Sequence, residues 1–291
     1  MQSPLFAFFG TSRFAVQVLT ALETHGLFPA LVVCAPDKPA GRGQQLTPAP
    51  TKVWAQERDI DVMTPEKLDA AFIENISNSE WQVFCTAAYG KLLPEQLLSL
   101  PIHGALNVHP SLLPKFRGPS PVLSAILADE RETGVSIIEM DAQMDHGPIV
   151  AQGRVELESD AWPPRGSLFE DLLATEGGNL LAEVLPLWVR GEITPVAQDD
   201  AQATYTKKFT DADARISLHD DPQAMLLRIR AFDRNPRAYC IAQTKEGKQI
   251  RVIITDAELV DSRLVIKQVI PEGKREMPYE TFLASGATVV S

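Results

Sequence analysis

The stretch Leu5-Phe6-Ala7-Phe8-Phe9-Gly10-Thr11-Ser12-Arg13-Phe14-Ala15-Val16-Gln17-Val18-Leu19 decides the fold. Leu5–Phe9 is apolar without alternation, which suits a strand buried on both faces. Beyond Gly10 the period changes. Phe14, Val18 and Leu22 recur at i, i+4 and i+8, along one face of a helix. A buried strand passing through one glycine into an amphipathic helix is the opening of a β-α-β unit.

Working outward, Leu31–Ala35 reads as the next strand, followed by a Pro- and Gly-rich loop from Pro36 to Pro50. Helices are expected around Val53–Glu57 and Lys67–Ile76. Val83–Ala88 and Ala105–His109 are further strands. Val122–Ala128 is then a helix and Val135–Met140 a strand. Leu168–Val189 is a helix that Gly177, Gly178 and Pro186 should bend or divide. Repeated β-α-β units imply a Rossmann-like, doubly wound, mostly parallel sheet. In such sheets ligands bind beyond the carboxyl ends of the strands. No G-x-G-x-x-G follows the first strand, which argues against a nicotinamide or flavin dinucleotide.

The polar segment Ile193–Thr206 has no clear period and suits a linker. After it come a helix, Pro222–Phe232, and β-like runs at Ala238–Gln243, Gln249–Ile254 and Leu264–Ile270. The expected organisation is a catalytic domain over residues 1–192, a linker over 193–206 and a small β-rich domain over 207–291.

Bulk composition narrows the class. The chain of 291 residues is 45% hydrophobic and 22% charged, ordinary for a globular enzyme. No apolar run approaches the roughly 20 residues that cross a bilayer, and Leu5–Phe9 is too short for a signal-peptide core. Cys34, Cys85 and Cys240 are odd in number and lack a C-x-x-C pair, so they read as buried thiols in a cytoplasmic protein. The five histidines are not at metal-ligand spacing, and no metal is expected. The net charge of −11 is uneven. Between Met225 and Arg251 stand seven basic residues and two acidic ones, either a solvated face or a polyanion contact.

Two segments carry chemistry. Asn107-Val108-His109-Pro110-Ser111-Leu112-Leu113-Pro114-Lys115-Phe116-Arg117-Gly118 ends the fourth expected strand. Residues i and i+2 of a strand point to one side, so Asn107 and His109 project together. A carboxamide donor beside an imidazole suits acyl transfer, one stabilising an oxyanion and the other managing a proton. The second segment, Met140-Asp141-Ala142-Gln143-Met144-Asp145-His146-Gly147-Pro148-Ile149-Val150, also follows a strand. Asp145 could orient the His109 ring, although Asp-x-Gly is also an ordinary turn.

Together with Thr133-Gly134-Val135-Ser136-Ile137-Ile138-Glu139, these segments closely resemble the folate-dependent formyltransferases over most of residues 5–240. The resemblance implies that Asn107, His109 and Asp145 are catalytic and that 10-formyltetrahydrofolate is the formyl donor. It places the folate loop at Ser111, Leu112, Leu113 and Pro114, and a second folate-lining segment at Tyr89, Gly90 and Leu92. Within the family, the loop Pro36 to Val53, the segment Ala203 to Ile216 and the basic C-terminal domain resemble the branch that formylates initiator methionyl-tRNA. That branch implies Phe14 near the methionyl group, and Lys38 and Arg42 on the tRNA. It also implies a cytoplasmic monomer in translation initiation, with an OB-like C-terminal barrel. Here the barrel is truncated, with one hairpin missing before Pro271. Gly118-Pro119-Ser120-Pro121 departs from the family's usual Gly-Ala-Ala-Pro. The alternative acceptor is another amine, an amino-sugar nucleotide or glycinamide ribonucleotide.

Overall fold

The computed structural model describes residues 4–40 and 44–290. In chain order the first elements are β1 (Phe6–Gly10), α1 (Arg13–Thr24), β2 (Leu31–Val33), β3 (Lys38–Ala40) and β4 (Gln45–Thr47). Next come α2 (Pro50–Gln56), β5 (Asp61–Met63), α3 (Ala70–Ile76), β6 (Val83–Ala87), α4 (Glu95–Leu98) and β7 (Ala105–His109). They are followed by α5 (Pro121–Leu127), β8 (Thr133–Glu139), β9 (Ile149–Val155) and α6 (Gly166–Val189). The last are α7 (Pro222–Ala231), β10 (Tyr239–Gln243), β11 (Gln249–Val260), β12 (Arg263–Pro271), β13 (Met277–Pro278), α8 (Tyr279–Ala284) and β14 (Thr288–Val289).

The chain forms two compact units. One comprises the chain through Gly118, with Glu132–Glu156 and Glu170–Tyr205. The other comprises Pro119–Arg131, Leu157–Phe169 and the chain from Thr206 onward. The first unit carries a seven-stranded sheet in the order β5-β2-β1-β6-β7-β8-β9. The strands from β5 to β7 are parallel, β8 runs antiparallel to β7, and β9 runs antiparallel to β8. All five residues of β1 are buried, as its uninterrupted apolar run requires. On α1, Phe14, Val18 and Leu22 face the core. β3 and β4 pair antiparallel within the Pro36–Pro50 loop.

The structure adds a strand to the sequence reading and keeps one helix undivided. Ile149–Val155 is a strand paired with β8 from Thr133↔Val155 to Ile138↔Ile149, with a register shift between Ile137 and Ile138 that leaves Val150 outside the pairing. And α6 is one continuous helix despite Gly177, Gly178 and Pro186. Its glycines serve close packing. A Cβ on Gly177 would lie 2.5 Å from Val108 Cγ1, and one on Gly178 would lie 2.8 Å from the Val18 carbonyl oxygen. Each added methyl would overpack the contact.

The second unit packs α5 with α7 and carries a five-stranded antiparallel sheet, β13-β12-β11-β10-β14, half of a barrel. Its core gathers Ile216, Met225, Ile229, Phe232, Val252 and Val269. Helix α7 starts where Asp221 accepts a 2.8 Å hydrogen bond from the Ala224 N–H, with Pro222 in the first turn. The β11–β12 hairpin turns through Asp261 (φ 48°) and Ser262 (φ 60°), the left-handed pair that a two-residue hairpin turn uses.

Candidate active site

β7 delivers both sequence-expected donors to the carboxyl end of the parallel strands. Its neighbours are β6, where Asn107 pairs with Thr86, and β8, where His109 pairs with Ser136. The Thr86 hydroxyl donates to Asn107 Oδ1 at 2.6 Å. The same hydroxyl lies 3.3 Å from Met140 Sδ. With Asn107 Oδ1 engaged, Nδ2 has no acceptor among the described residues.

His109 is buried, 4% exposed. Its Nε2 lies 3.0 Å from the Phe116 carbonyl oxygen. A carbonyl only accepts, so Nε2 carries the hydrogen. Nδ1 then faces Asp145 Oδ1 at 3.7 Å. The other carboxylate oxygen of Asp145 accepts from the Gly118 N–H at 2.7 Å, which aims Oδ1 at the ring. Asp145 sits at φ 53°, a left-handed conformation that Asp tolerates better than most residues. Asn107, His109 and Asp145 are therefore brought to one place. In this geometry the Asn107 carboxamide stands beside an imidazole hydrogen-bonded at Nε2, with the Asp145 carboxylate 3.7 Å from Nδ1.

The loop after β7 is held by the antiparallel strands. Ser136 Oγ donates to the Ser111 carbonyl at 2.7 Å and accepts from the Leu113 N–H at 3.1 Å. Gln152 Nε2 donates to the Leu113 carbonyl and to Ser136 Oγ, each at 2.9 Å. Ser111 and Leu113 are buried and Leu112 and Pro114 half-buried. Tyr89, Gly90 and Leu92 follow the neighbouring strand β6. Tyr89 is buried against Phe9, and its hydroxyl has no partner among the described residues. Burial, and then the Cys34 sulfur, push that hydroxyl up to about 12. Leu92, by contrast, is 64% exposed.

Phe14 opens α1 and is buried in the core of the first unit. Lys38 is exposed on β3, and Arg42 lies outside the described residues. Lys52, a third cation of that loop, is paired with Asp37 at 2.9 Å. In the basic C-terminal stretch Arg228 bonds the Arg215 carbonyl and pairs with Asp220. Arg230 bonds the Ala257 carbonyl and pairs with Asp256. Those two arginines are tied into their own unit.

Sequence reasoning missed Thr86, Ser136, Gln152, and a buried arginine beside the site. Arg117, 1% exposed, donates to Gln198, Asp200 and Tyr205. Its guanidinium holds the Asp200 carboxyl below its ordinary value. His146 sits between Asp141, 2.6 Å from Nδ1, and Asp200, 3.6 Å from Nε2. The Asp141 hydrogen bond, with both carboxylate charges, raises His146 above the usual 6.5. The folded chain then binds more protons than the unfolded one, so this contribution is full below pH 6.5 and is lost as pH rises through the raised value. Urea titrations across that range should show wild type exceeding His146→Gln at low pH and converging on it at high pH. A gap that widens with pH would contradict the assignment. Among the described residues, no three His, Cys, Asp or Glu side chains gather as a metal cluster.

Residues 5–164, just over half the chain, match the family model described as formyl transferase. The methionyl-tRNA formyltransferase of Chloroflexus aurantiacus is 41% identical over 252 residues, covering 86% of this chain and 80% of that one. The chain belongs to the methionyl-tRNA formyltransferase family. Solved structures share the fold across the family's wider relatives. A methionyl-tRNA formyltransferase from Clostridium thermocellum superposes with a TM-score of 0.58 at 15% identity, covering 92% of this chain and 98% of that one. A sugar N-formyltransferase from Shewanella superposes with a TM-score of 0.63 at 15% identity, covering 89% and 99%. The fold is thus common to enzymes with different acceptors, and it is sequence identity that separates the tRNA branch.

Proposed function

We propose that this chain transfers the formyl group of 10-formyltetrahydrofolate to the α-amino group of initiator methionyl-tRNA; its 41%-identical relative is named a methionyl-tRNA formyltransferase. The observation that carries the chemistry is His109 placed between the Phe116 carbonyl and Asp145, two residues beyond Asn107 on the same strand.

The donor supplies an activated formyl carbon, which the acceptor amine attacks directly. Asn107 Nδ2 and the imidazolium form of His109 stabilise the oxyanion that develops at the formyl oxygen. Such donors are each worth about 3–4 kcal/mol in the transition state. Asp145 orients His109; its carboxylate accepts the proton that the amine loses, the imidazolium gives one to the nitrogen that departs, and transfer from Asp145 to His109 restores the pair. Ser111, Leu112, Leu113 and Pro114 line the folate, with Tyr89, Gly90 and Leu92. The buried Tyr89 hydroxyl is a hydrogen-bonding group that the fold itself does not use, and it fits a polar heterocycle. Phe14 lies near the methionyl group. No helix among the described residues is long and apolar enough to cross a membrane. The reading is of a monomer acting in the cytoplasm.

Lys38 and Arg42 contact the tRNA backbone in this proposal. Each lost phosphate contact lowers the steepness with which binding weakens as salt rises, by about one in the log–log slope. Arg42→Ala should therefore raise KM for methionyl-tRNA and flatten its salt dependence while leaving KM for the folate donor unchanged. Unchanged kinetics on methionyl-tRNA would remove the loop from tRNA recognition. Formylation of charged initiator methionyl-tRNA, followed by release of tetrahydrofolate, tests the whole proposal, and absence of product overturns it.

A further inference from the structure

Both supports of the His109 ring are themselves held by one segment, Val196 to Tyr205. At its start Val196 exchanges backbone hydrogen bonds with Ile149, at 2.7 and 2.8 Å, just beyond the Asp145 turn. Gln198 then reaches into that turn. Its Nε2 donates to the Asp145 carbonyl at 2.9 Å and the Gly147 carbonyl at 2.7 Å. Its Oε1 accepts from Arg117 Nε at 3.0 Å. At the far end Thr204 holds the other support. Its Oγ1 accepts from the Phe116 N–H at 2.8 Å, and its carbonyl accepts from the Arg117 N–H at 2.8 Å.

Arg117 joins the two ends. It follows Phe116, whose carbonyl grips His109 Nε2, and its guanidinium bonds Gln198, Asp200 and Tyr205. A buried guanidinium needs such a set of acceptors, since an unpaired buried charge is costly. The Asp145 turn has reason to need a brace. Its carboxylate stands on a left-handed residue, and Oδ1 is 3.7 Å from Nδ1, beyond hydrogen-bond length. Small displacements there change whether ring and carboxylate engage.

We infer that Gln198 and Arg117 are positioning residues that set turnover by holding Asp145 and the Phe116 carbonyl against His109. The inference rests on the assignment of His109 and Asp145 to formyl transfer.

The test is a set of single and double variants assayed with 10-formyltetrahydrofolate and charged initiator methionyl-tRNA. Gln198→Met keeps the length and loses every hydrogen bond. Gln198→Glu keeps an acceptor for Arg117 and loses only the donors to the Asp145 turn. Both should lower kcat by roughly 10-fold to 10²-fold, since misplacement by about 1 Å costs that much, with KM for both substrates nearly unchanged. In an Asp145→Asn background, Gln198→Met should add no further loss of kcat, because residues acting through one group are not additive. Equal losses in both backgrounds, or wild-type kcat in Gln198→Glu, would overturn the inference alone. Wild-type kcat in the single Asp145→Asn variant would overturn the reading beneath it, and the inference with it. Thermal unfolding of each variant separates a loss of fold from a loss of positioning: a loss of kcat that tracks a lowered melting temperature in both glutamine variants also counts against it.

Discussion

His109→Ala should lower kcat for formyl transfer by about 10²–10⁴-fold, the range for removing a positioned acid–base group. KM for methionyl-tRNA should stay close to its wild-type value. The ring is 4% exposed and anchored by the Phe116 carbonyl, so it offers little surface for ground-state binding of a macromolecule. Its contribution is confined to the transition state, and a loss there appears in kcat and kcat/KM together. Asp145→Asn should act in the same direction. Asn tolerates φ 53° and its amide oxygen can still accept from the Gly118 N–H, so the backbone is kept while the charge facing Nδ1 is removed. Steady-state kinetics on both variants check this. A His109→Ala enzyme with near-normal kcat would contradict the assigned role.

The second large effect is expected at Gly147. A Cβ there would lie 1.8 Å from the Glu139 carbonyl oxygen, deep inside contact distance. The obstacle is strand backbone, whose neighbouring N–H donates to the Pro148 carbonyl at 3.0 Å, so it cannot swing aside as a side chain would. Gly147→Ala should therefore destabilise the chain by about 3 kcal/mol, the upper part of the range for overpacking. The strain would also shift the turn that carries Asp145, so kcat should fall in whatever fraction remains folded. Urea unfolding with a parallel activity measurement tests both. An unchanged midpoint would mean that the close approach of Gly147 to β8 is not as described.

Much of this could be read before any coordinates. The unbroken apolar run at Phe6–Phe9 and the shift to a helical period at Phe14, Val18 and Leu22 are local signals, and β1 and α1 form where they point. The N-x-H spacing placed Asn107 and His109 on one side of a strand end, and β7 ends at His109. What was not legible depends on partners distant in the chain. β9 alternates weakly and forms because β8 offers it an edge. Gly177 and Gly178 looked like breaks in a helix. They are contact points, and only the approach of β7 and α1 shows it. The supports of the site are equally remote. Thr86 meets Asn107 across 21 positions, Gln152 meets Leu113 across 39, and Gln198 meets the Asp145 turn across 53. Each is a polar residue with no local pattern to mark it. The basic stretch was left open between a solvated face and a polyanion contact; within it Arg228 and Arg230 are engaged by carbonyls and carboxylates of their own unit.

The acceptor is the point on which the whole account turns, because the same fold serves sugar N-formyltransferases. The most direct measurement is a competition. Limiting 10-formyltetrahydrofolate is offered to charged initiator methionyl-tRNA, an amino-sugar nucleotide and glycinamide ribonucleotide in one mixture, and the formylated products are quantified. Formylmethionyl-tRNA is the expected sole product, lost in the His109→Ala enzyme. Formyl appearing on a small amine, with methionyl-tRNA unmodified, would contradict it.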